Sequence, residues 1–189
     1  MARPAKVTKE EIVSAGLAVV DAEGLTALSA RRVARQLGVS TAPVYVCFSS
    51  MDALTEAVMQ EAVALLLAYT RRLHTDRPFL NIGTGTVLYS KEHPTLYRAL
   101  FLEGDRFEKL VRRFLAEITR DMANDGRFTH LPNVVRAQLL ARMWTYTHGM
   151  ASLIAVGITR RMSKDAIVRS LIEVGTPLIR EVLTANPAR

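Results

Sequence analysis

Apolar residues recur at helical spacing along almost the whole chain. Ile12, Ala15, Gly16, Val19 and Val20 share one face of a helix predicted over 8–23. Thr8 followed by Glu11 forms a capping box at its start, the hydroxyl taking one orphan amide while the carboxylate reaches back to another. Gly24 is placed to stop it in the left-handed conformation. A second, short helix is predicted over 30–37 with Ser29 as its cap, Val33, Ala34 and Leu37 turned inward and Arg31, Arg32 and Arg35 outward. Gly38 makes a turn. A third helix begins after Ser40 and ends near Phe48, with Pro43 in its first turn, where a missing N–H costs little. Ser49 and Ser50 open a long fourth helix from Met51 to about Leu73. After the polar stretch 74–78, further helices are predicted near 79–92, 94–103, 107–124, 132–157 and 163–185, punctuated by Pro94, Pro132, Gly104, Gly126 and Gly157. No run alternates as a strand does.

The second and third helices carry the informative spacing: Ala34, Leu37, Gly38, Val39, Ser40, Val44, Tyr45. A small Ala34 lets two helices cross closely, Gly38 permits positive φ in a tight turn, Val39 is expected to plug the angle and Ser40 to cap the third helix. Such a helix-turn-helix presents its second helix to a DNA major groove about 12 Å wide. Thr41 can hydrogen-bond to a base edge or phosphate. Ala42, Pro43 and Val46 can contact thymine methyls, and the Tyr45 hydroxyl suits a phosphate. Arg31 and Arg32 can hold backbone or reach a base. The alternative is a plain helical hairpin within a bundle. The expected fold is all-α: an N-terminal three-helix helix-turn-helix domain joined by a long fourth helix to a larger C-terminal helical bundle, with domains at 1–73 and 74–189.

Charge sharpens this locally. The net charge is +7 over 189 residues, but residues 1–73 hold eight Lys/Arg against seven Asp/Glu, and the excess lies beyond them. Between Ser29 and Met51 there are three arginines and no acid. Fields decay over about 8 Å at physiological salt, so this acid-free strip matters more than the total. No apolar run reaches the roughly 18 residues of a membrane span, and no apolar segment follows Arg3, Lys6 and Lys9 as in a secretion signal. A cytoplasmic protein with no membrane partner is expected. The single cysteine, Cys47, excludes an internal disulfide and a cysteine-rich metal site. The four histidines (His74, His93, His130, His148) are scattered. No metal-ligand cluster, phosphate-binding glycine loop or nucleophile elbow is found, so no catalytic residue, metal or cofactor is assigned and an enzyme is not expected.

Residues 8–66 resemble the N-terminal domain of TetR-type (tetracycline-repressor-like) regulators. The resemblance rests on Gly24-Leu25, Leu-Gly-Val-Ser at 37–40, Tyr-x-x-Phe at 45–48 and Leu54, all in register. It implies DNA contact by Ser29, Arg31, Arg32, Ser40, Thr41, Ala42, Pro43, Tyr45, Val46 and Cys47. Two positions depart from the family pattern: Cys47 stands where His is common and Met51 where Lys is common, both phosphate-facing. Arg3, Lys6 and Arg31 can compensate for the lost donors. A redox role for Cys47 is the lesser alternative to a plain small residue on a helix.

The resemblance further implies that residues 75–189 sense a ligand and dimerise. "YSKEHPTLYRALF" (89–101) and "WTYTHGMASLIAVG" (144–157) resemble the Tyr-Arg and Trp-x-x-x-His-Gly segments of one TetR subgroup. Tyr89, Tyr97, Phe101, Phe114, Met143, Trp144 and His148 are the candidate lining for a small apolar or amphipathic effector, or else core; Trp144, His148, Ala151 and Ala155 share one helical stripe. Gly149 suits a close helix crossing. Leu139, Leu140, Met143, Leu153, Ile154, Ile167, Leu171, Val174, Leu178, Ile179 and Val182 exceed what one bundle can hide, so a homodimer through the last two helices is expected. The function implied is a repressor released from double-stranded operator DNA by a small molecule. The alternatives are a constitutive DNA-binding regulator and a helical enzyme with an accessory DNA-binding domain.

Overall fold

The computed structural model describes residues 7–159 and 161–188. Arg3 and Lys6 therefore lie outside the described residues. Those described form nine α-helices and no strand: α1 (Lys9–Glu23), α2 (Ala30–Leu37), α3 (Ala42–Cys47), α4 (Met51–Arg71), α5 (Pro78–Glu92), α6 (Pro94–Phe101), α7 (Glu108–Asp121), α8 (Asn133–Ala155) and α9 (Lys164–Ala185). Short 3₁₀ turns at Leu25–Ala27 and Met122–Asn124 complete them. No helix among the described residues is long and apolar enough to cross a membrane.

The chain divides into two compact units at Ala64/Leu65, inside α4, whereas the polar stretch 74–78 is where the sequence places its boundary. The last turns of α4 pack within the second unit. Arg71 pairs with Glu117 and Asp121 of α7 at 3.0 and 2.8 Å, and the Tyr69 hydroxyl meets Glu92 and, at 3.1 Å, His93 Nε2.

Local chemistry explains the first unit. The Thr8–Glu11 capping box forms in both directions, at 3.2 and 2.8 Å. Gly24 does end α1 with positive φ, but at φ 93, ψ 165, outside the left-handed helical region expected for it. Ser29 Oγ accepts the Arg32 amide at 3.3 Å and starts α2. Gly38, at φ 68 and ψ 29, closes it, and the Val39 amide reaches back to the Ala34 carbonyl at 3.0 Å. Ile12, Val20, Val33, Leu54 and Val58 are fully buried between these helices.

In the second unit α5 packs chiefly against α8 and α9. Six of the apolar residues assigned to a dimer surface (Leu139, Leu140, Met143, Ile154, Ile167 and Leu171) are instead buried within one chain. Helical spacing marks an apolar face but not which neighbour covers it, and α5 covers this one. What remains outside is Leu153, Val156 and Ile158 near the end of α8, together with Val174, Leu178 and Val182, which are half-exposed on α9.

Candidate functional site

The turn between α2 and α3 fixes what α3 presents. Two expectations about it are corrected. Ser40 does not cap α3; the cap position is Thr41, already helical at φ −74, ψ −14, and its side chain makes no capping bond. The turn is thus one residue longer, and Val44 and Tyr45 direct their amides to the Thr41 carbonyl at 3.1 and 3.4 Å. Val39 does not plug the interhelical angle. It stays exposed, while Val44 (1 %) and Phe48 (5 %) fill the core.

The remaining surface is apolar and uncharged. Tyr45 is 63 % and Val46 78 % exposed. Ser40 and Ala42 are exposed, and Thr41, Pro43 and Cys47 half-buried. Arg31 is exposed beside them in sequence on α2; Ser29 is half-buried, with its oxygen engaged as the α2 cap. Arg32 is not a free cation: it forms an ion pair with Glu23, from the end of α1. The acid-free strip of the sequence therefore acquires an acid in space, and Arg31 and Arg35 carry its positive charge. Lys9 Nζ sits 5.2 Å above the Phe48 ring, a further cation at the foot of α3.

In the second unit the candidate lining separates into three places. Tyr97, Phe101, Phe114, Trp144 and His148 do come together, but as packed rings. Centroids lie 4.7 Å apart for Tyr97–Phe101, 5.6 Å for Phe101–Trp144, 5.8 Å for Phe114–Trp144 and 5.5 Å for the stacked Trp144–His148. His148 Nδ1 and the Tyr97 hydroxyl are hydrogen-bonded at 2.6 Å. Burial lowers the His148 pKa and raises that of Tyr97, so both stay neutral near pH 7. Tyr89 is fully buried elsewhere, against Tyr69 and His93.

Of the seven, Met143 and Trp144 alone line a cavity among the described residues of this unit. It is a cleft of about 1130 Å³ between α5, α8 and α9, walled by Phe79, Ile82, Leu140, Leu171, Ile172 and Ile179. The 124–127 turn closes one end. There Asp125, 4 % exposed, accepts the Arg127 guanidinium at 2.8 and 2.7 Å and the Phe79 amide at 3.4 Å. Burial pushes the Asp125 carboxyl up, but the Arg127 bonds and charge outweigh it and hold the pKa below its usual value. The pair's stabilisation is therefore complete above the unfolded carboxylate pKa and is lost as pH falls through the lowered folded one. Asp125→Asn is expected to cost about 2 kcal/mol near neutral pH, and the difference from the native chain should vanish in acid. Equal melting temperatures at pH 7 would refute this. The cleft was not legible in the sequence: Ile172, Ile179 and Leu183 have the spacing of any buried stripe, and only packing turns them toward open space.

The fold resembles that of known proteins. Residues 12–58 match the model of bacterial regulatory proteins of the tetR family. An uncharacterised HTH-type transcriptional regulator of Mycobacterium tuberculosis is 24 % identical over 181 residues, covering 91 % of this chain and 81 % of that one. A TetR regulator from Streptomyces coelicolor shares the fold with a TM-score of 0.66 at 15 % identity, over 94 % of this chain and 98 % of that one. A TetR-like regulator from Rhodococcus does so at 0.63 and 15 %, over 93 % and 97 %. SmeT, the repressor of a Stenotrophomonas maltophilia multidrug efflux pump, gives 0.55 and 15 %, over 95 % and 90 %.

Proposed function

We propose that the chain is a regulator of the tetR family, whose family model matches residues 12–58, and that it acts as a cytoplasmic homodimeric repressor released from operator DNA by a small molecule. One observation carries the DNA-facing part: α3 leaves the turn with the large side chains of Tyr45 and Val46 exposed and no acid on its surface. Entering a major groove, Ala42, Pro43 and Val46 meet thymine methyls and Thr41 a base edge. Tyr45 and Arg31 hold phosphates and fix the register.

The dimer would use the outer stripe of α8. Ala137, Ala141, Thr145, Gly149, Leu153 and Val156 are exposed at spacings of four, four, four, four and three. A Cβ on Gly149 would meet nothing within 4 Å in its own chain, which leaves room for a partner helix to cross closely. The half-exposed Val174, Leu178 and Val182 of α9 extend that face. Two-fold symmetry then places two α3 helices on an operator of matching symmetry. An effector that favours a subunit geometry out of register with successive grooves weakens DNA binding, and DNA weakens effector binding by the same factor.

The test is selection of bound DNA from a random pool, followed by titration of the selected site and its single-base variants. Tyr45→Phe is expected to weaken every sequence about tenfold, the worth of one hydrogen bond to a charged group, with the order of preference intact. A changed order would assign Tyr45 to a base instead.

A further inference from the structure

We propose that the cleft between α5, α8 and α9 takes an amphiphile with an apolar body and an anionic head, the head set against Arg180. This rests on the reading of the second unit as an effector domain and adds the chemistry of the effector.

The cleft is polar at one end and apolar at the other. Its apolar end is fixed by Gly83, where a Cβ would lie 3.3 Å from Leu171 and 3.6 Å from Thr147, and by Gly175, where it would lie 3.2 Å from Met143. The Thr86 hydroxyl there is turned to its own helix, donating to the Ile82 carbonyl at 2.9 Å. Asp76 and Arg77 at the start of α5, the 124–127 turn, and Arg180 and Thr184 in the last turns of α9 make the polar end. The Phe79–Asp125 bond ties the start of α5 to that turn.

The charges at the polar end do not cancel. Asp125 and Arg127 are spent on each other. Asp76, the other acid of the lining, stands 4.0 Å from Arg77. Arg180, exposed on α9, has no hydrogen bond or ion pair among the described residues, and the neighbouring Glu181 is taken by Arg142 at 3.0 and 2.8 Å. A guanidinium left over beside an apolar wall matches a carboxylate or phosphate whose tail lies along that wall. A cationic head would be repelled there, and a neutral one would gain little from it.

Trp144 is the single tryptophan of the chain and lines the cleft, so its fluorescence reports occupancy. The full-length chain is titrated with dodecanoate, dodecyl phosphate, dodecanol and dodecyltrimethylammonium, each below its micelle concentration. At least one of the two anions is expected to shift the emission saturably and to bind at least tenfold more tightly than the alcohol, with the cation weakest. Which anion binds better tells a carboxylate from a phosphate effector. Arg180→Gln should abolish the anion's advantage and leave dodecanol binding as it was. Arg112→Gln, which removes an exposed α7 guanidinium paired with Glu108 and absent from the cleft lining, should keep the advantage. Equal affinities for alcohol and anions, or a preference that survives Arg180→Gln, would overturn the anionic head while leaving an apolar effector site. No emission change with any of the four would overturn the cleft as the effector site altogether.

Discussion

Gly85→Ala is expected to destabilise the second unit by about 3 kcal/mol and to lower the melting temperature of the chain by about 10 °C. Gly85 lies in α5 where α4 crosses it. An added Cβ would stand 2.2 Å from the Tyr69 carbonyl oxygen, 2.5 Å from its carbon and 2.7 Å from the Thr70 Cα. All three are backbone atoms, so no rotamer change relieves the clash. The Tyr69 carbonyl is also held by His74 Nε2 at 3.0 Å and the Arg72 amide at 3.3 Å. Moving α4 away would pull the Tyr69 ring from Tyr89 and its hydroxyl from Glu92 and His93. Alanine gains about 1 kcal/mol over glycine in helix propensity, which the clash must exceed. Gly83→Ala, two residues away, separates the effects. Its Cβ would press only on the flexible end of Leu171 at 3.3 Å, so that variant should melt close to the native chain. A Gly85→Ala protein melting within about 2 °C of native would show that the crossing is looser than described.

The elements that could be read from the sequence are those with local causes. Thr8 with Glu11, Ser29 and Pro94 each mark a helix start by chemistry within one turn, and each marks it in the fold. The misreadings concern relations between elements. Arg32 looks unpaired in the sequence because Glu23 reaches it only after the turn over 24–29 has folded. Ser40 looks like a cap because serine usually is one, yet Thr41 already has helical angles and takes the position. Tyr97 and His148 are 51 positions apart, and nothing local says that they bond to each other, so the sequence leaves pocket wall and core both open for them. The cleft was hidden for the same reason. The apolar stripe of α9 looks identical whether a partner subunit, α5 or an effector covers it.

Val46→Glu is expected to reduce affinity for the selected operator by at least about a hundredfold while leaving the fold unchanged. Val46 is 78 % exposed, so its replacement removes no packing, and surface changes of this kind stay within about 0.5 kcal/mol. On DNA the position is costly for two reasons. The glutamate loses the apolar contact with a thymine methyl and sets a carboxylate against the thymine O4 acceptor, in a groove flanked by phosphates. Each is worth on the order of 1–3 kcal/mol, and the middle of that range for both together passes a hundredfold. Leu73→Glu adds the same charge at a 91 % exposed position outside α3 and should bind the operator nearly as the native chain does. The carboxylate is also a competent partner for the cytosine amino group, so reselection with Val46→Glu should enrich C·G at one position per half-site. Enrichment at that position identifies the base Val46 faces. An affinity within threefold of native would place Val46 outside the groove and transfer the reading of sequence to Thr41 and Arg31.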